Sequence, residues 1–453
     1  MTAHIFRQYD IRGVWGRDLN EDIVYAIGRA MAFRLYERFE GKTDLKVTIA
    51  RDVRLSSPAM LFALSRAFME SGIDVIDLGT CPTPLQYFSL FRMPVDGGAM
   101  ITASHNPGKF NGLKLSIGTE TLYGDEIQRI RQYIEDDRTV NGHGAFIQHD
   151  ILPEYMEYMW NQFGQMGGLK AVLDCGNGVA GLVAPDLFNS MGIETVQLYC
   201  TPDGRFPNHH PDPVVPENLK VLINTVLKEK ADVGIGYDGD GDRIGVVDGD
   251  GEIIWGDRLL ALFARQLLLE HPGAAVIGEV KCSQSLYDDI EARGGVPMMW
   301  KTGHSLIKSK MRESGALLAG EMSGHIFFKD RYFGFDDALY ASLRLMEALK
   351  RNGPPYSVKR LLKGLPRMSS TPEIRVDCPD GRKFDVVERI KEELGREHPI
   401  IDIDGVRVRY TNGWGLVRAS NTQPALVLRF EAVNDEALQK IRLDVEEKLE
   451  RLL

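Results

Sequence analysis

Along the first two thirds of the chain, short apolar runs alternate with longer amphipathic ones, and this rhythm predicts an α/β protein. Residues 46–50, 170–174 and 275–280 each read as a buried strand. Each is followed by helical spacing, over 57–70, 180–190 and 283–292. A glycine (Gly72, Gly192, or the pair Gly294-Gly295) then leads into a second apolar run, at 73–78, 193–199 and 296–300. Glycine suits the positive φ that closes a helix. Strand, helix, glycine, strand is the pattern of a right-handed crossover joining parallel strands. Three such units predict three related α/β domains in tandem. After Lys363 the pattern changes: 373–376, 400–410 and 425–431 alternate like antiparallel strands, and 437–449 is an amphipathic closing helix. The prolines and glycines of 352–366 make a linker. The expected division is 1–150, 151–252, 253–365, and a smaller α+β domain over 366–453.

Composition narrows the partners. At 453 residues, 43% hydrophobic and 26% charged, the chain is ordinary globular material, too long for one core. A net charge of −10 argues against nucleic acid as a partner. An anionic substrate therefore requires local clusters of Arg and Lys. The five cysteines are far apart with no Cys-x-x-Cys pair, which reads as buried free thiols in a reducing compartment. No signal-peptide pattern opens the chain, and the most apolar helix, 259–269, is too short to span a bilayer. A cytoplasmic protein without a membrane partner is expected.

The chemistry concentrates at Asp238-Gly239-Asp240-Gly241-Asp242-Arg243, between apolar strands at 231–236 and 244–247. Three carboxylates this close repel unless a cation sits among them, and hard oxygen ligands of this kind suit Mg²⁺. A solvated Asp-Gly turn is the bland alternative. An EF-hand does not fit: counting from Asp238, Arg243 stands where the loop needs Gly, and Gly249 where it needs Glu. Ser104, in Thr102-Ala103-Ser104-His105-Asn106-Pro107 at the end of a strand over 98–102, reads as displayed rather than buried. A phosphate on that serine would need a cation beside it, which the acid loop could supply. Lys114, in Asn111-Gly112-Leu113-Lys114, is either a phosphate partner and proton shuttle or a solvated lysine.

Gly176-Asn177-Gly178-Val179-Ala180-Gly181 matches the dinucleotide fingerprint, but a tight strand-to-helix turn with close packing explains it as simply. Lys301-Thr302-Gly303 and Ser305 to Lys308 mimic penicillin-binding motifs in the wrong order. Glu321, Ser323 and His325 share one glycine-flanked loop, suited to sugar hydroxyls and, at His325, to proton transfer near neutral pH. Arg418, Ser420, Asn421 and Thr422 precede a strand as a phosphate cradle or a polar hairpin loop.

Taken together, Thr-x-Ser-His-Asn-Pro, Asp-Gly-Asp-Gly-Asp-Arg, Gly-Glu-Met-Ser-Gly-His and Arg-Ala-Ser-Asn-Thr, in this order, resemble the α-D-phosphohexomutases over almost the whole chain. The opening Phe6-Arg7-x-Tyr9-Asp10-Ile11-Arg12-Gly13 and Met322 are similar to the bacterial phosphomannomutase/phosphoglucomutase branch; Ala103 and Gly108 depart from its usual Gly and Pro. The resemblance implies three related α/β domains with mixed sheets and a TATA-binding-protein-like fourth. It implies that Ser104 is phosphorylated, with one Mg²⁺ held by that phosphate and by Asp238, Asp240 and Asp242. Arg12, Lys114, Arg243 and His304 would surround the transferring phosphoryl group, and His325 would be the general acid/base. Tyr9, Lys281, Glu321 and Ser323 would bind the sugar, and Arg418, Ser420, Asn421 and Thr422 the phosphate that is not transferred.

The activity implied is interconversion of hexose 1- and 6-phosphates of mannose, glucose or both. The route is a hexose 1,6-bisphosphate that also serves as primer, with a mobile fourth domain releasing it and a monomer or weak homo-oligomer as the working form. Phosphoglucosamine mutase is the alternative within the class. A nicotinamide-dependent dehydrogenase on the Gly176–Gly181 turn and a silent sugar-phosphate sensor are the alternatives outside it.

Overall fold

The computed structural model describes residues 3–421 and 424–453. Two compact units divide them, one of residues 1–259 and 323–361, the other of 260–322 and 362–453. In the first unit a seven-stranded mixed sheet contains the first expected crossover. Strand Lys46–Arg51, helix Ser57–Glu70 and strand Asp74–Thr80 follow one another, with Gly72 at φ +82° between helix and strand. The two strands pair in parallel, and Gly97–Ile101 flanks Lys46–Arg51, also in parallel. Phe110–Ile117 then returns antiparallel beside Gly97–Ile101 and carries Ile11–Val14 on its far side.

A five-stranded mixed sheet repeats the plan. Lys170–Asp174 lies parallel to Glu194–Leu198 and to Val233–Tyr237, and Ile244–Asp248 turns back antiparallel. The expected helix over 180–190 begins as a 3₁₀ turn, Val179–Leu182, and becomes α-helical only at Ala184–Ser190. Val183, at φ −127°, breaks the run, and Pro185 suits the first turn beyond it.

The second unit holds the third crossover: strand Ala275–Glu279, helix Gln284–Ala292 and strand Val296–Trp300, with Leu318–Gly320 parallel on the other side of Ala275–Glu279. It also holds a six-stranded antiparallel sheet packed by helices Asp380–Gly395 and Asp435–Glu450. The apolar alternation over 400–410 is two strands, Ile400–Ile401 and Val406–Tyr410, because Gly405 turns the chain at φ +76°. The architecture is that expected, three related α/β sheets and an α+β C-terminal part. All five cysteines are free, four buried and Cys200 half-buried. Among the described residues no helix is long and apolar enough to cross a membrane.

Candidate active site

The glycines of the acid loop have separate reasons. Gly241 stands at φ +76°, where an L side chain is strained, and a Cβ on Gly239 would lie 2.6 Å from the carbonyl oxygen of Ser104. The chain therefore alternates carboxylate with glycine: the acids face one point while the loop backbone presses against the serine loop. Asp238 Oδ1 accepts the backbone N–H groups of Gly241, Asp242 and Arg243 at 3.0–3.2 Å and so closes the turn. Its Oδ2 accepts the hydroxyl of Ser104 at 2.7 Å.

Ser104 is 2% exposed, so the expectation of a displayed serine is corrected. The strand end brings it out of the first sheet, but the acid loop covers it. Its backbone sits at φ +50°, an uncommon conformation for a non-glycine residue. What holds it there is Arg54, which is fully buried. The guanidinium donates to the carbonyls of Ser104, Asn106, Pro107 and Phe110 at 2.6–3.0 Å, and to Asp52 at 2.9 Å. One cation thus satisfies four carbonyls of the serine loop. Arg12 donates to Asn106 Oδ1 at 2.9 Å and pairs with Asp10. His105 Nδ1 lies 3.1 Å from Ser104 Oγ, and burial, then Arg243 and Arg12, hold that imidazole well below its usual range.

Lys114 is buried rather than solvated. Its ammonium donates to Asp240 Oδ2 at 2.8 Å and Asp242 Oδ2 at 2.5 Å. Burial opposes its charge, but those two carboxylates raise its pKa well above the ordinary value. In turn, against the cost of burial, Lys114 keeps Asp240 below the usual carboxylate range, and Lys114 with His325 keeps Asp242 well below it. Asp238, whose only cationic neighbour among the described residues is Arg243 at 4.0 Å, is pushed well up by burial and by its two acidic neighbours.

His325 leaves the loop where Gly324, at φ +88°, packs against the Ile244 carbonyl and accepts its N–H at 3.0 Å. Its Nε2 lies 3.2 Å from Asp242 Oδ1, 3.3 Å from Arg243 Nε and 3.8 Å from Asp336 Oδ2; its Nδ1 is 3.1 Å from Ser323 Oγ. Protonated, Nε2 faces a carboxylate; deprotonated, it accepts from the guanidinium. Both states have a partner, as a proton-transferring group requires.

The three Asp ligand atoms lie within 4.8 Å of one another. Asp240 Oδ1 is buried and, among the described residues, has no hydrogen-bond partner. A bare carboxylate oxygen kept dry is costly unless a cation meets it, so the residues fit a divalent ion. Ser104, the acid triad, Arg243, Lys114, Arg12 and His325 all fall in the first unit, and the structure brings them together around this point; Tyr9 is half-buried on the bend before Asp10.

Thr83 escaped the sequence reading. It opens helix Thr83–Arg92, and its Oγ1 donates to Asp240 Oδ2 at 2.7 Å while its N–H donates to the Asp240 carbonyl at 2.8 Å. The Pro82-Thr83-Pro84 start of a helix was its only local signal.

Ser323 also belongs to the first unit; Lys281, His304, Glu321, Arg418, Ser420 and Asn421 lie in the second. Lys281 Nζ pairs with Glu373 at 3.1 Å and Glu279 at 3.3 Å. Glu321 Oε1 accepts the Gly303 N–H at 2.7 Å, beside buried His304. Arg418 is oriented by Asp404 at 3.0 Å, and the Ser420 carbonyl accepts Lys383 at 2.6 Å. Asn421 follows half-buried, and Thr422 lies outside the described residues. Gly176–Gly181 is a packing turn: a Cβ on Gly178 would come within 2.7 Å of the Gly239 carbonyl, and one on Gly181 would strike Cys200.

Comparison with known proteins agrees with this geometry. The chain matches the phosphoglucomutase/phosphomannomutase family in its alpha/beta/alpha domains I (3–141), II (153–251) and III (255–368) and its C-terminal domain (373–448). It is 47% identical over 443 residues to a phosphomannomutase/phosphoglucomutase of Pseudomonas aeruginosa, covering 98% of this chain and 94% of that protein. It is 44% identical to a phosphoglucomutase of Neisseria meningitidis, covering 98% and 96%. A crystal structure of a phosphoglucomutase/phosphomannomutase family protein from Burkholderia thailandensis superposes with a TM-score of 0.93 at 43% identity, covering 100% and 98%. At these identities, sustained over almost the full length, the chain belongs to the α-D-phosphohexomutase family, on its bacterial phosphomannomutase/phosphoglucomutase branch.

Proposed function

We propose that the protein interconverts hexose 1-phosphates and hexose 6-phosphates, of mannose, glucose or both, through phosphorylated Ser104 and a hexose 1,6-bisphosphate. The observation that carries this reading is the 2.7 Å approach of Ser104 Oγ to Asp238 inside a buried acid triad, with Lys114 and His325 on the same triad. The names of the relatives, phosphomannomutase/phosphoglucomutase and phosphoglucomutase, supply the sugars.

In the first half-reaction the free hydroxyl of a hexose monophosphate attacks the phosphoserine phosphorus. The new oxygen–phosphorus bond forms as the bond to Ser104 Oγ breaks, and His325 takes the hydroxyl proton at Nε2. In the second, Ser104 Oγ receives the other phosphate of the bisphosphate, and His325 returns the proton to the sugar oxygen left behind. Asp238, Asp240, Asp242 and a serine-phosphate oxygen are the ligands for one Mg²⁺, which when bound neutralises charge on the phosphoryl oxygens. Arg12, Lys114, Arg243 and His304 serve the transferring group electrostatically. Tyr9, Lys281, Glu321 and Ser323 hold the sugar, and Arg418, Ser420, Asn421 and Thr422 hold the second phosphate. Positioning does most of the work in such a transfer. Domains over 1–150, 151–252, 253–365 and 366–453, a cytoplasmic location and a monomer or weak homo-oligomer without nucleic-acid partners complete the reading. The separate sheets, the free cysteines and the net charge of −10 support it.

The test is Ser104→Ala, assayed on glucose 1-phosphate and mannose 1-phosphate with Mg²⁺, with and without a trace of bisphosphate primer. Turnover should fall on the order of 10⁴-fold or more, with loss of the phosphoprotein mass. Retained turnover would remove Ser104 from its role, and glucosamine 1-phosphate as the fastest substrate would move the assignment to phosphoglucosamine mutase.

A further inference from the structure

The mechanism above leaves unused two thiols in the second sheet of the first unit. Cys175 directly follows strand Lys170–Asp174, and Cys200 lies just past the neighbouring parallel strand Glu194–Leu198. The Cys175 N–H donates to the Leu198 carbonyl at 3.1 Å, which sets Cys175 opposite Tyr199, and Tyr199, at φ +53°, turns the chain so that Cys200 comes beside Cys175. Their sulfurs are 3.1 Å apart. Closing them to a disulfide requires a movement of only about 1 Å. Cys175 is buried and Cys200 half-buried, so an oxidant reaches Cys200 first and Cys175 is the resolving partner. Their mutual contact, then burial, raises the Cys175 thiol, while the same contact lowers Cys200, which favours the thiolate on the accessible member.

The pair is coupled to the acid loop by a segment with no slack. The Gly178 N–H donates to the Cys175 carbonyl at 2.7 Å, and the next N–H, of Val179, donates to the Gly239 carbonyl at 3.2 Å. Asn177 ties the same turn to the Cys200 side, its N–H donating to Tyr199 O and its side chain to Thr201 O, both at 2.8 Å. Gly178 packs on Gly239 and Gly181 on Cys200 so closely that neither position has room for a Cβ. Gly239 in turn presses on the Ser104 carbonyl. Drawing the sulfurs together therefore shifts the turn against the backbone that carries the three metal-facing acids.

We propose that Cys175 and Cys200 are a peroxide-oxidisable pair whose disulfide weakens divalent-ion binding at Asp238, Asp240 and Asp242. A hydroperoxide oxidises the Cys200 thiolate, the O–O bond breaking as the sulfenic S–O bond forms. The Cys175 thiol then attacks that sulfur, the S–S bond forms and water leaves; a dithiol reductant reverses the change. For hydrogen peroxide the balance is two thiols and one peroxide to one disulfide and two waters. The half concerning metal binding rests on the function proposed above. The thiol chemistry does not, so the two fail separately.

The experiment treats full-length protein with hydrogen peroxide under native conditions. Intact mass and peptide mapping follow the thiols, and calorimetric titration with Mn²⁺ follows the acid loop. The expected result is a loss of two mass units, three of five thiols remaining, a Cys175–Cys200 linked peptide, and a Mn²⁺ Kd raised about tenfold and restored by dithiothreitol. Cys175→Ser should stop at a Cys200 sulfenic acid trapped by dimedone, and Cys200→Ser should keep its Mn²⁺ affinity through peroxide treatment. Five thiols surviving, or a disulfide between other cysteines, overturns the pair. A 175–200 disulfide that leaves Mn²⁺ affinity unchanged overturns the coupling.

Discussion

Thr83 and Glu373 show how single side chains acquire roles from partners far along the chain. Asp240 Oδ2 is occupied by Thr83 and Lys114, which leaves Oδ1 as the free oxygen of a fully buried carboxylate. Thr83→Val keeps the shape and deletes the donor, so Asp240 loses the bond that fixes its orientation. The expected outcome is a Mn²⁺ Kd weakened about tenfold by calorimetry, with Thr83→Ser restoring it, as for other groups that orient metal ligands. Equal affinity in the valine variant would show that Lys114 alone suffices. In the second unit, Lys281 holds the Glu373 carboxyl down to about 2 from its ordinary 4.5. Because the folded value is the lower one, this pair stabilises the unit above the ordinary Glu range, and that contribution is lost as pH falls from about 4.5 toward about 2. Lys281→Met should return Glu373 to a titration at or above its ordinary range by carboxylate NMR, and acid unfolding of the unit should begin at higher pH.

At the scale of elements, helix Ala338–Asn352 depends on one cap. Asp337 accepts the Tyr340 N–H at 2.9 Å, and its other oxygen takes the buried hydroxyls of Tyr155 at 2.9 Å and Tyr332 at 2.7 Å. Asp337→Ala removes the cap and strands two phenols in the aromatic cluster around Tyr332, Phe333 and Tyr340. A loss of about 3 kcal/mol in urea unfolding is expected; a loss below about 1 kcal/mol would mean that the hydroxyls find other partners. Elements also account for what the apolar rhythm did and did not disclose. The three crossovers were legible because strand and helix have different periods and a glycine marks each helix end. Strand Gly413–Ala419 and helix Asp380–Gly395 were not, since the first carries two glycines and an arginine and the second is mostly charged. Their apolar faces acquire meaning only against each other, in the core of Val386, Val417, Leu428 and Val445.

For the whole molecule, the second unit joins two chain segments through a buried cation. Arg407 donates to the Val280 carbonyl at 2.7 Å and the Cys282 carbonyl at 2.8 Å, and its guanidinium lies 3.8 Å from the centre of the Trp414 ring. Burial lowers its pKa to about 10, so it stays charged at neutral pH. Arg429 adds a bond to the Lys281 carbonyl, and Glu431 accepts from Ser283, Gln284 and Trp414. A fourth domain swinging away from residues 280–284 would have to break all of these. Arg407→Leu should cost about 2–4 kcal/mol, because two buried carbonyls lose their donor. It should also speed amide exchange over 280–284 while the acid-loop strands of the first unit keep their protection. Unchanged exchange at 280–284 would show that the arginine is not what joins these segments.

Local order was written in the chain: which stretches are strands, where helices stop, and that three acids alternate with glycines on a loop at a strand end. Those follow from periodicity and from backbone limits that act over a few residues. Tertiary structure alone decided that Ser104 is covered, that Lys114 is neutralised by two acids, that Arg54 clamps the serine loop and that Thr83 steadies Asp240. Ser104 meets Asp238 across 134 residues, Lys114 meets Asp240 across 126, and Thr83 meets Asp240 across 157. Contacts over such separations leave no repeat in the sequence. Burial then changes their chemistry, because a carboxylate or ammonium withdrawn from water is governed by the partner it finds there.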